Sequence, residues 1–127
     1  QLERADELIA MKRRIFDWYQ QGLAGVDGIY LNKEVEDAKS IYWMTSIRLD
    51  ESLAIGRDEL IKKLRERNVD SRPVFPAISQ YPIWNRKQAP QPTASLIGRQ
   101  ALNLPSGVCR TRQEIAYVCR QLRELLA

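Results

Sequence analysis

Histidine is absent from the sequence, and much chemistry goes with it. Within this chain no imidazole can serve as a zinc ligand of the common kinds, as a general base, or as the middle member of a Ser-His-Asp triad. Cysteine is scarce. Cys109 and Cys119 are the only two, which is no basis for a disulfide framework and fits a reducing compartment. The six glycines never cluster as a phosphate-cradling loop or a dinucleotide fingerprint requires. Apolar runs stay far below the roughly 20 residues of a membrane span, and no charged-then-apolar leader opens the chain. The expectation is a cytoplasmic protein with no membrane partner.

What is present suits one globular domain. A chain of 127 residues is the size of one ordinary domain. Its 44% of apolar residues is enough for a core, and 28% charged with 8% aromatic residues is unlike a disordered tail. Lysine plus arginine is 20 against 16 aspartates and glutamates, a net charge of +4. That balance is mild and interspersed, so Lys12, Arg13, Arg14, Arg110, Arg112, Arg120 and Arg123 read as solvated helix faces and not as a nucleic-acid surface. The chain opens at Gln1 already inside a helical pattern, and reads as a piece of something longer.

Apolar residues at Leu8, Met11, Ile15, Trp18 and Tyr19 recur at helical spacing from Leu2 to Leu23, with Gly22 and Gly25 ending the run. Ile41 to Asp50 alternates, which predicts a half-buried strand with Ile41, Trp43, Thr45, Ile47 and Leu49 on one face. A helix follows Gly56, with Asp58 and Glu59 in its first turn and Asn68 as its left-handed stop. Ser71 to Phe75 is short and extended, kept from helix by Pro73 and Pro76. A loop then runs to Pro92, holding Pro76, Pro82, Pro90 and Pro92 of the six prolines. Thr93 caps a short helix reaching Arg99, and Ala101 to Leu104 reads as a short buried strand. The last helix is the best signalled: Thr111 and Glu114 have capping-box spacing, and Ile115, Val118, Cys119, Leu122, Leu125 and Leu126 form one apolar face. This order predicts an α/β fold, a two-layer α+β sandwich with a small, few-stranded sheet packed against amphipathic helices.

No catalytic constellation stands out. Cys119 lies on an apolar helix face, where a thiol is buried and inert, and Cys109 has no histidine partner. The informative segment is Ser71 to Trp84, reading Ser-Arg-Pro-Val-Phe-Pro-Ala-Ile-Ser-Gln-Tyr-Pro-Ile-Trp. An arginine among prolines, followed by aromatics on a loop at a strand end, suits an anionic ligand with a planar or sugar-like part. On the plainer reading, the prolines stiffen a connection and the aromatics pack beneath it.

Four stretches together resemble a known family. They are Lys12-Arg13-Arg14 with Ile15-Phe16-Asp17-Trp18-Tyr19; Ser40-Ile41-Tyr42-Trp43-Met44; Arg57-Asp58-Glu59-Leu60 running on to Ser71-Arg72-Pro73-Val74-Phe75-Pro76; and Leu102-Asn103-Leu104-Pro105-Ser106-Gly107 before the helix with Glu114-Ile115 and Tyr117-Val118-Cys119. In this order, over nearly the whole chain, they resemble the C-terminal small domain of the DegT/DnrJ/EryC1/StrS sugar-nucleotide aminotransferases. The Arg-Pro-aromatic and Trp-Met stretches are similar to the perosamine-synthase-like branch.

The resemblance implies the small domain of a fold-type-I pyridoxal phosphate enzyme, spanning residues 1–127. The parent enzyme, a homodimer by analogy, would move an amino group from glutamate to a nucleotide-linked keto sugar, in making deoxyamino sugars for polysaccharides or antibiotics. The lysine that carries pyridoxal phosphate, the aspartate facing its ring and the phosphate loop belong to the family's large N-terminal domain, so this chain alone is expected to bind no cofactor and to be inactive. Lys12, Lys33, Lys39, Lys62, Lys63 and Lys87 lack the glycine-rich sequence that follows the family's lysine. Carried over by position, Arg72, Phe75, Ser79 and Tyr81 would face the substrate. Many members have Pro-Leu-His where this chain has Ala77-Ile78-Ser79, so Ser79 offers a hydroxyl in place of an imidazole. The competing reading is a stand-alone α/β binding or interaction module. A lid without its large domain is expected to expose apolar surface near Leu2 to Ile15.

Overall fold

The computed structural model describes residues 1–84 and 92–127. Among these the order is α1 (Ala5–Gly22), β1 (Ile29–Leu31), β2 (Ser46–Leu49), α2 (Arg57–Glu66), β3 (Arg72–Pro73), α3 (Pro92–Gln100), β4 (Ala101–Asn103) and α4 (Arg112–Leu126), with 3-10 turns at Leu2–Arg4 and Ile78–Gln80. The strands form one antiparallel sheet in the spatial order β1-β2-β4-β3. Ile47 pairs with Leu31 on one side and Leu102 on the other, while Asn103 pairs with Ser46 and Arg72.

Because successive side chains point to opposite faces, this register sorts the sheet. Ile47, Leu49, Leu102 and Leu104 meet Ile15 and Tyr19 of α1, Leu60 and Leu64 of α2, and Ile115, Val118 and Leu122 of α4 in one core. Each buried leucine or isoleucine there contributes about 1.5–3 kcal/mol by leaving water. The fold is the expected mixed α/β sandwich with a small sheet backed by helices. Two local devices complete the helical layer. Thr111 Oγ1 accepts from the Glu114 N–H at 3.3 Å while the Thr111 N–H donates to Glu114 Oε2 at 2.7 Å, the anticipated capping box. Arg123 donates to the carbonyls of Gly22 and Ala24 at 2.8 and 2.6 Å, serving the orphan end of α1, and Gly25 turns the chain away at φ 74°. Asn68 is left-handed at φ 58°, as its stop role requires.

Several expectations need correction. The alternating strand is less than half as long as its pattern: β2 covers Ser46–Leu49, and pairing begins only where the Leu104 N–H meets the Thr45 carbonyl at 2.9 Å. Ile41 and Trp43 are exposed and Tyr42 is buried, the reverse of the expected parity. Tyr42 is left-handed at φ 45° and the chain bends at Trp43 and Met44, so the side the residues face changes before Thr45, from which the expected alternation holds. β1 has no counterpart in the sequence reading, since three residues offer too little alternation to detect. Only Arg72–Pro73 of the extended stretch is a strand, extended by the Val74 N–H bonding the Ala101 carbonyl at 3.0 Å. The expected loop after Pro76 contains a 3-10 turn, and its part with Lys87 and Pro90 lies outside the described residues. Near the first helix Leu2 is exposed and Leu8, Ile9 and Met11 are half-buried, while Ile15 is in the core.

Candidate functional site

The sheet face away from the core is polar. A row crosses it at one register: Asn32, Ser46, Asn103 and Arg72 come from the four adjacent chain segments. The Ser46 N–H donates to Asn32 Oδ1 at 3.0 Å, and the Ser46 hydroxyl lies 2.6 Å from Asn103 Oδ1. Arg72 ends the row on an edge strand. Pro73 beside it has no N–H to offer a further strand.

At this end of the row opens a groove of about 260 Å3, lined by Lys12, Trp43, Asp70, Arg72, Asn103 and Ser106 among others. Arg72 meets Asp70 at 3.4 Å with both side chains largely exposed, a pairing weak enough to leave the guanidinium open to another anion. Lys12 does a different job. Its ammonium donates to the carbonyls of Trp43 and Ser106, each at 2.7 Å. Burial pushes this ammonium down from the ordinary lysine value. Tyr19, buried in α1, donates its hydroxyl to the Pro105 carbonyl at 2.8 Å, so α1 holds the 105–106 turn at two points. Burial raises the Tyr19 phenol well above its usual value, keeping it a neutral donor.

The remaining sequence candidates lie along the chain from Arg72. Gly98 of α3 fixes the start of this segment. A Cβ there would stand 3.2 Å from Pro76 Cα and 3.4 Å from the Phe75 carbonyl, so any side chain would crowd the 75–77 backbone on which α3 lies. Arg57 donates to the Gly98 carbonyl and ties that contact to α2. Ala77 is buried, whereas Phe75, Ile78, Tyr81, Ile83 and Trp84 are exposed, Phe75 to 63% and Ile83 to 80%. Ser79 is half-buried in the 3-10 turn. The aromatics therefore do not pack beneath the loop, contrary to the plainer reading.

Arg72 thus lines the groove, and Phe75, Ser79 and Tyr81 do not share its lining. Sequence reasoning missed Trp43 and Asn103 as neighbours of Arg72. Asn103 carried a faint signal, an amide inside an otherwise apolar strand; Trp43 carried a misleading one, because alternation assigned it to the core. Of the basic stretch at 12–14, Arg13 is occupied by Glu34 and the Ser40 carbonyl, and the Arg14 guanidinium lies over the Trp18 ring. Burial pushes the Cys119 thiol up to about 11, so it is inert at neutral pH. Among the described residues no group of three His, Cys, Asp or Glu side chains converges as metal ligands do, and no helix is long and apolar enough to cross a membrane.

The family model described as the DegT/DnrJ/EryC1/StrS aminotransferase family matches residues 1–123. The chain belongs to this family. GDP-perosamine synthase of Escherichia coli O157:H7 is 32% identical over 124 residues, which are 98% of this chain and 33% of the relative. GDP-perosamine synthase of Vibrio cholerae is 34% identical over 127 residues, covering 97% of this chain and 34% of that protein. The crystal structure of S. venezuelae DesV superimposes with a TM-score of 0.85 at 26% identity, over 98% of this chain and 33% of that one. The chain therefore spans about a third of the length of the relatives it matches.

Among the described residues no lysine stands free within the groove. The lysine of the groove has its ammonium on two backbone carbonyls. Lys33, Lys39 and Lys62 are exposed, and Lys63 is paired with Glu59 at 3.0 Å.

Proposed function

We propose that this chain is the C-terminal small domain of a pyridoxal phosphate-dependent sugar-nucleotide aminotransferase, and that its Arg72 face covers a site built by the remainder of the enzyme. The observation that carries the reading is the contrast of surfaces. Arg72 stands open beside a groove, and five large apolar side chains between Phe75 and Trp84 stand in water, more than an isolated module has reason to expose. Membership of the family supplies the chemistry: glutamate as amino donor and a nucleotide-linked keto sugar as acceptor. The cofactor, bound elsewhere in the enzyme, supplies the electron sink.

On this reading Arg72 takes a phosphate or carboxylate of the substrate, since a guanidinium presents two parallel donors to such groups. Phe75 and Tyr81 shield the reacting groups from water, and the Ser79 hydroxyl donates to or accepts from the sugar. The test compares the full-length protein with residues 1–127 alone, each given pyridoxal phosphate, glutamate and a GDP-, UDP- or dTDP-linked 4-keto sugar. Formation of 2-oxoglutarate beyond one equivalent per enzyme by the full-length protein only when a sugar nucleotide is present, and by the short chain under no condition, is the expected result. Turnover by the short chain, or none by the full-length protein with any of the three, contradicts the reading.

A further inference from the structure

Tyr42 stands in the left-handed region, where a bulky side chain is an outlier. Its ring is kept there by Phe16, stacked with 3.7 Å between centroids and 8° between planes. The Arg13 guanidinium lies 5.3 Å from the same ring. At the bend that follows, the next side chain stands outward: Trp43 is 59% exposed and lines the groove with Arg72 and Asn103. An unusual backbone, a stacked pair and a cation together hold a large aromatic ring in water beside an open guanidinium.

The second half of the clamp is Lys12. Its ammonium bridges the Trp43 carbonyl and the Ser106 carbonyl, so the residue that bears the indole is joined through α1 to the opposite lip of the groove. An aromatic wall beside a guanidinium matches a ligand with a ring next to an anion, and a sugar nucleotide has both. We infer that Trp43 is a ring-binding wall for the sugar nucleotide and that Lys12 is the positioning residue that fixes it at the groove. The inference deepens the function proposed above and rests on it.

The experiment uses the full-length enzyme and equilibrium calorimetry, with no turnover required. The probe is whichever of GDP-mannose, UDP-glucose and dTDP-glucose the wild-type protein binds. Trp43→Ala and Lys12→Met are each expected to weaken binding about tenfold, the size of one lost ring contact. The double variant should be no weaker than either single one, since Lys12 acts through Trp43. Trp43→Phe keeps an aromatic face and Lys12→Arg keeps two donors, so both should retain most of the affinity. Should Lys12→Met fail to fold, Trp43→Ala decides alone, its side chain being exposed. Wild-type affinity in Trp43→Ala overturns the role of Trp43, and additive losses in the double variant overturn that of Lys12. A wild-type protein that binds none of the three probes overturns the functional reading itself, and this inference with it.

Discussion

On the helix-covered side of the sheet, Ile47, Leu49 and Leu102 are sealed beneath Tyr19, Leu60 and Leu122. On the other side β2 and β4 carry Ser46 and Asn103, the edge strand β3 carries Arg72, and the chain beyond it leaves Phe75, Ile83 and Trp84 in water. The covered side uses local rules that agree with one another: amphipathic helices, a capping box, and an arginine on the carbonyls at the end of α1. The open side breaks such rules, with a left-handed tyrosine, an outward tryptophan and a lysine bonded to two carbonyls from distant segments. A region that departs from local preference and still exposes apolar surface is where function is to be sought.

That contrast can be broken by mutation, beginning where the effect is largest. Leu122→Ala empties a fully buried position and should lower stability by about 2–5 kcal/mol in urea unfolding; a loss below about 1 kcal/mol would mean that α4 is not seated on the sheet as described. Thr111→Ala removes one arm of the capping box and should cost about 1 kcal/mol, a value that Thr111→Ser should largely restore.

Acid sharpens the comparison further. Hydrogen bonds from the Thr111 N–H and hydroxyl, and then from Arg110, hold the Glu114 carboxyl below its ordinary value of 4.5. Those from Arg13 and the Ser40 N–H do the same for Glu34. A carboxyl depressed in the folded state adds stability that is complete above its unfolded value and is lost as pH falls through the folded one. Stability should therefore drop below pH 4.5, and the Glu34→Gln/Glu114→Gln variant should show a flatter decline. An equal slope in that variant would place the acid sensitivity elsewhere. Smallest of all should be Phe75→Ser and Tyr81→Ser, each within about 0.5 kcal/mol of wild type because neither side chain is buried; a larger loss would show that this segment helps to hold the domain together.

The covered side was legible in the sequence because its signals are local. The helical stripe of α1, the acidic first turn of α2 and the Thr111–Glu114 spacing each lie within one element, and each element formed. The place of Arg72 at a strand end was legible too, from an arginine set among prolines. Trp43 and Lys12 were not, for two physical reasons. Alternation counts parity along a strand, and the bend at residues 43 and 44 breaks the count. The contacts that give Lys12 its role reach 31 and 94 residues along the chain, further than any spacing pattern extends. β1 escaped notice since three residues define no period, and its place beside β2 is fixed by pairing alone.

The account turns on the open face being the substrate side, and Arg72→Ala in the full-length enzyme tests that most directly. The prediction is a fall of about tenfold or more in kcat/KM for the sugar nucleotide, the cost of one lost charge-assisted contact, with the thermal midpoint unchanged because the side chain is exposed. An unchanged kcat/KM would remove Arg72 from the site and leave the exposed face without the role given to it.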